Sequence, residues 1–246
     1  MHRSVPVLTL LGLALPLTGC SGGGSDEEGQ PPEPPQHIDA VGGGPVFQIL
    51  PAAAVFRDRV PEEMRATLPN DPTPFGDEVA LISGTIRIEA TDRSDQLLPD
   101  PPYTADEASV TAEFTTEDGA RWRVEQTRVA ARLPDGSPRL FAGVGIGQVV
   151  HGDTGRENPL MPKMTATLTM WGFADVFRDG DLVKRDALLH VMFTSRARDL
   201  EDGHYLSYDV TQQPVEEIHL FLNPGNRLPA PGGFLHVNWE RSKIEG

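Results

Sequence analysis

From Pro45 onward the apolar residues recur mainly at every second position, the repeat of a β-strand and not of an amphipathic helix. In residues 85–90, Ile86, Ile88 and Ala90 alternate with Thr85, Arg87 and Glu89; Val110, Ala112 and Phe114 repeat the pattern, as do Trp122 and Val124. The longest run is 164–176, where Met164, Ala166, Leu168, Met170, Gly172, Ala174 and Val176 predict one buried face opposite Thr165, Thr167 and Thr169. Arg178-Asp179-Gly180-Asp181 then predicts a hairpin turn, with Leu182-Val183 opening the return strand. Glu117-Asp118-Gly119 and Pro134-Asp135-Gly136 are similar turn signals. Only residues 61–68 read as helix, with Pro61 at the first turn. Short strands punctuated by Gly, Pro and Asp, without alternating helices, predict one all-β domain over residues 45–246, an antiparallel β-sandwich or a barrel-like fold.

Charge and cysteine narrow the function. The chain has 36 acidic against 21 Lys and Arg residues, a net charge of −15 over 246 residues. That balance excludes nucleic acid as a partner, because phosphate binding needs a basic face. It also disfavours adsorption to an anionic membrane surface. One cysteine excludes an internal disulfide and any multi-cysteine zinc or iron–sulfur site.

The N-terminus carries an address. His2 and Arg3 precede an apolar run from Val5 to Leu17 that is too short and too broken by Pro6, Thr9, Gly12 and Pro16 to span a bilayer. The run ends in Leu17-Thr18-Gly19-Cys20. This tetrapeptide resembles the lipobox of bacterial lipoprotein precursors, in which small residues before the cysteine admit a dedicated signal peptidase. The resemblance implies that residues 1–19 are a signal peptide and that Cys20 becomes a lipidated, acylated mature N-terminus. Ser21, in place of Asp, implies by the same likeness transfer to the outer membrane. Residues 20–44 then predict a flexible tether, since Gly/Ser runs and Pro-Pro-Glu-Pro-Pro offer no core face. Asp26-Glu27-Glu28 resembles the surface-export signals of some bacterial groups. The expected partner is thus a membrane, reached through lipid.

Three late segments share a form, with His190, His219 and His236 each flanked by apolar neighbours. Alternation places Leu189/Val191/Phe193, Ile218/Leu220/Leu222 and Leu235/Val237/Trp239 on one face and the histidines, with Met192, Phe221 and Asn238, on the other. If the strands are neighbours in register the imidazoles converge, and three histidines could hold zinc or copper. A shared ion needs ring nitrogens within about 3–4 Å of one another. The competing reading is cross-strand packing. Of the methionines, Met164 and Met170 fall on the expected core face, Met161 is also available, and only Met192 shares a face with a histidine.

Other constellations predict less. Gly143-Val144-Gly145-Ile146-Gly147 lacks the dinucleotide spacing and leads into Gln148-Val149-Val150, which reads as strand. Asp179 with Asp181, and Asp199 with Glu201 and Asp202, lack the order of a calcium loop. No Gly-x-Ser-x-Gly, Ser-x-x-Lys or His-Glu-x-x-His motif occurs, so a catalytic role has no support and no cofactor is expected beyond a possible zinc or copper ion. Trp171 and Phe173 lie opposite the expected core face of the long strand. They predict either a surface for an envelope protein or polysaccharide, or burial beneath a second sheet or residues 97–103. The expected function is non-catalytic binding or structural service in the cell envelope, with periplasmic zinc or copper binding through His190, His219 and His236 as the alternative.

Overall fold

A computed structural model of the chain describes residues 36–93, 105–130 and 143–245, all within one compact unit. Nine antiparallel strands make up most of it: β1 (Gln36–Ile49), β2 (Val79–Asp92), β3 (Glu107–Thr115), β4 (Arg121–Val129), β5 (Val144–Val150), β6 (Met164–Arg178), β7 (Asp181–Ser195), β8 (Val215–Leu222) and β9 (Leu235–Ile244). Their order is β4-β3-β2-β1-β9-β8-β7-β6, and pairing of β4 with β6 closes the eight into a barrel. β4 occupies the C-terminal half of one β6 edge, from Trp122↔Arg178 to Val129↔Gly172. β5, the ninth strand, takes the other half, from Val144↔Met170 to Val150↔Met164. Of the two architectures expected, the barrel is the one formed.

An eight-stranded barrel is just wide enough for side chains to fill. The inward face carries the alternating residues read from the sequence, including Ile86, Ile88, Val110, Phe114, Trp122, Val124, Leu189, Val191, Leu220, Val237 and Trp239, in one continuous core. Phe114 of β3 meets Trp239 of β9 edge-on at 6.2 Å, so large rings from strands that are not neighbours pack together in the core.

Three boundaries differ from expectation. β1 starts at Gln36, nine residues before the expected domain edge at Pro45, because Ile38 and Ala40 alternate into the core and pair with β2. Gly42, read as part of a flexible run, serves close packing: a Cβ there would meet Ile86 Cγ2 at 2.5 Å and Trp239 Cβ at 2.7 Å. The run at 164–176 does not keep one buried face. The pairing of β6 with β7 slips between Ala166 and Leu168, which swaps sides. Leu168 and Met170 therefore enter the barrel, whereas Met164 and Ala166 join a second apolar cluster outside it. Finally, the helix at 61–68 is a single turn, α1 (Glu62–Arg65), with Pro61 at its N-cap.

Turns follow their chemistry. Asp179 (φ 54°) and Gly180 (φ 94°) form the two-residue β6–β7 turn, both left-handed as a type I′ hairpin requires. Asp118 caps the β3–β4 turn by accepting from Thr116 Oγ1 at 2.6 Å and Ala120 N at 3.2 Å. The glycine run at 143–147 runs into β5, leaving no helix N-terminus to cradle a phosphate. Asp179, Asp199 and Asp202 accept backbone N–H groups of Arg121, Glu201 and His204, so these carboxylates serve turns. The expectations for Cys20, residues 97–103 and Pro134-Asp135-Gly136 lie outside the described residues.

Candidate functional site

β7, β8 and β9 are consecutive in the barrel, so the register expected to gather the histidines exists. On their outward face three rows run across the strands. His190 pairs with Phe221 and Phe221 with His236; Met192 pairs with His219 and His219 with Asn238. Thr194 pairs with Glu217, and the Ile218↔Trp239 register sets Glu240 beside Glu217. In an open barrel this face would meet water. Here it is covered, and His190, His219 and His236 are only 5, 2 and 1% exposed. The cover is the second apolar cluster, built from Val60, Phe75, Leu160, Met161 and Val210 of the connections together with Met192 and Ala166 of the sheet. The polar side of three strands is therefore an interior layer, where every polar group needs a partner.

The partners are specific. Glu217, fully buried, accepts the backbone N–H of Ala197 at 2.9 Å and of Arg198 at 3.3 Å, and the Asn238 amide at 3.2 Å. It also makes a close contact with His219 Nε2. The other nitrogen of that ring, Nδ1, lies 3.5 Å from His236 Nε2. His236 Nδ1 is 2.8 Å from the Pro74 carbonyl, which can only accept, so Nδ1 carries the proton. His190 Nδ1 likewise donates to the Met170 carbonyl at 2.8 Å, and its ring stacks on Trp171 at 4.2 Å. Two of the three expected histidines thus come together, while the third stacks on an aromatic neighbour. Among the described residues, no three His, Cys, Asp or Glu side chains are grouped as ligands for one metal ion.

Four participants were not singled out from the sequence. His151, at the end of β5, places Nε2 3.2 Å from Met192 Sδ and receives the Asn158 N–H on Nδ1 at 3.1 Å. Burial, reinforced by neighbouring His190, drives its pKa down to about 3, so the ring is neutral. Arg198 is fully buried, donates to the Gly203 and Gly76 carbonyls at 2.7 and 3.1 Å, and lies 3.8 Å over the Tyr205 ring. Glu240 is held protonated by burial and by the charge of Glu217. Burial pushes Glu217 in the same upward direction, but the pull of His219 and its hydrogen bonds prevails and keeps it ionised. His236 stays neutral because burial and the charges of His219 and Arg198 oppose its protonation. Parity could have flagged Glu217 and Glu240, which lie two residues from His219 and Asn238.

The outer-face aromatics of β6 are also engaged. Trp171 is buried and donates to Glu157 at 3.2 Å, while Arg128 and Arg123 of β4 cover Phe173 and Phe177 at 4.1 and 4.0 Å. The cover comes from the neighbouring strand and from the connection after β5. A separate open cleft of about 500 Å³ is bordered by Arg196, Arg241, Lys243 and Glu216 above Gly42 and Gly43. The chain matches no family model, no curated protein and no solved structure in the three comparisons made.

Proposed function

We propose that this chain is a lipid-anchored lipoprotein of the bacterial cell envelope, held in the outer membrane through Cys20, whose barrel serves a non-catalytic binding or structural role. The observation that carries the anchor is Leu17-Thr18-Gly19-Cys20, with the chain's one cysteine at the position that such a sequence modifies. A diacylated thiol with a further acyl chain holds a protein stably on a bilayer, at about 0.8 kcal/mol per buried methylene. The packed core supports a role without turnover. Side chains from all eight barrel strands occupy the lumen, and Glu217, His219 and His236 on the outer face of β8 and β9 are enclosed, with Glu217 held by the Ala197 N–H and the Asn238 amide. Recognition of an envelope protein or polysaccharide then falls to the outer surface.

The test is fractionation of cells producing the full chain. The wild-type protein pellets with membranes and takes up labelled fatty acid, whereas Cys20→Ser is unlabelled and leaves the membrane fraction or retains its leader. A Cys20→Ser protein that pellets unchanged contradicts the proposal.

A further inference from the structure

We propose that the barrel mouth at the C-terminal end of β1 binds a neutral sugar residue of an envelope glycan through Gln48, an inference that rests on the non-catalytic binding role above. β1 and β8 end at this mouth, β2 and β9 begin at it, and the β3–β4 and β6–β7 turns complete its rim. A concavity of about 400 Å³ lies there, a size within the roughly 300–1,000 Å³ of small-molecule sites, which favour barrel mouths. Gln48 pairs with Val237, a residue of the barrel core, and paired residues share a face of the sheet. Its side chain therefore points inward at the end of the lumen, where it lines the concavity. The residue is only 4% exposed, yet among the described residues its amide makes no hydrogen bond. A buried amide without partners destabilises a fold, and this one is placed to take its partners from outside the chain.

The rest of the lining selects the ligand. Pro51, Pro229 and Pro231 give rigid apolar walls, and the Trp122 indole joins them with its Nε1 already donating to Thr116 Oγ1 at 3.3 Å. Such surfaces pack against the apolar C–H face of a sugar ring. Arg178 donates to the Pro229 carbonyl at 3.1 Å and to Asp118 at 2.9 Å, which ties the β8–β9 connection to the β3–β4 turn and sets the opening in advance. Thr116 and Asp118 are engaged within their own turn. The side chains left for a ligand are the Gln48 amide and the exposed Glu117 carboxylate, which has no partner among the described residues. Glu117 only accepts and Gln48 both donates and accepts, so a matching ligand offers donors and acceptors side by side. Sugar hydroxyls do so. An ammonium group has no acceptor for the amide, and an anion meets unpaired Glu117 on a chain of net charge −15.

The experiment is isothermal titration calorimetry on the full chain carrying Cys20→Ser. The probes are the uncharged trisaccharides triacetylchitotriose, cellotriose, maltotriose and mannotriose, with anionic sialyllactose beside them. The proposal requires saturable, stoichiometric binding of at least one neutral trisaccharide, and binding of sialyllactose weaker by about tenfold or more. Gln48→Met keeps the volume and removes an unpartnered amide, so it should hold or raise the urea midpoint while weakening the neutral sugar by about tenfold or more. A residue that serves only the fold would show the opposite pairing, with stability lost and affinity kept. Binding of none of the neutral trisaccharides, sialyllactose bound as tightly as they are, affinity unchanged by Gln48→Met, or a lowered midpoint in that variant overturns the assignment. Binding is read in solution on an unlipidated chain, so none of these outcomes bears on the anchor at Cys20.

Discussion

Glu217 and His219, two residues apart on one strand, make a fully enclosed carboxylate–imidazole contact on the outside of a barrel, where sheet surfaces ordinarily meet water. The contact exists because three connections fold back over β7, β8 and β9 and convert their polar face into a second interior. Glu217 is its hub, since two backbone N–H groups, the Asn238 amide and His219 all converge on one carboxylate.

Glu217→Gln should therefore destabilise the chain by about 3–5 kcal/mol, the cost of removing one member of a buried pair. The amide nitrogen would be turned toward donors that now have an acceptor. Glu113→Gln, on the exposed face of β3, should stay within about 0.5 kcal/mol. Urea unfolding of the two variants beside the parent checks both values, and equal midpoints for the two would remove Glu217 from its central place.

The pH dependence of stability should carry the signature of Glu240. Its neighbours are the Glu217 carboxylate, which opposes ionisation, and Arg198 and Arg196, which favour it; burial is the largest influence, and the result is a carboxyl held protonated when folded. Its folded pKa lies above the ordinary 4.5. Above pH 4.5 the unfolded chain releases a proton that the folded chain keeps, so stability from this group is complete below 4.5 and declines as pH rises. Glu240→Gln, which keeps the neutral shape, should flatten that decline. The expected result is a gain in urea midpoint at pH 8 with little change at pH 4. A gain of the same size at both pH values would contradict it.

Much of the barrel was legible because its interior is uniformly apolar and strand parity reports that directly. Leu189, Val191 and Phe193, Ile218, Leu220 and Leu222, and Leu235, Val237 and Trp239 all face inward as alternation requires. What parity could not report is a second covering layer. A carboxylate such as Glu217 on the non-core face of a strand reads as solvated, and only the connections at 50–78, 151–163 and 196–214, which carry no alternating signal, decide otherwise. The slip at Ala166–Leu168 was hidden for a related reason: apolar residues continue through it, and the bulge changes which interior they enter. His151 was not legible because its contact with Met192 joins distant parts of the chain.

The start of β1 is equally open to test. A Gly42→Ala side chain would overlap Ile86 and Trp239 at 2.5–2.7 Å, which should cost about 1–3 kcal/mol if the glycine belongs to the barrel. Gly44→Ala would place its Cβ no closer than 3.8 Å to any neighbour and should change stability by less than about 0.5 kcal/mol. Thermal unfolding of the pair distinguishes a packed strand from a spacer, in which the two substitutions would be equally silent.

The anchor is the central claim, and the intact mass of the protein purified from its own envelope tests it most directly. The account predicts a mature chain that begins at Cys20 and whose mass exceeds the polypeptide by a thioether-linked diacylglyceryl group and one amide-linked acyl chain, with fragmentation assigning both to Cys20. A free thiol at Cys20, or a mature chain that begins at any other residue, would contradict it.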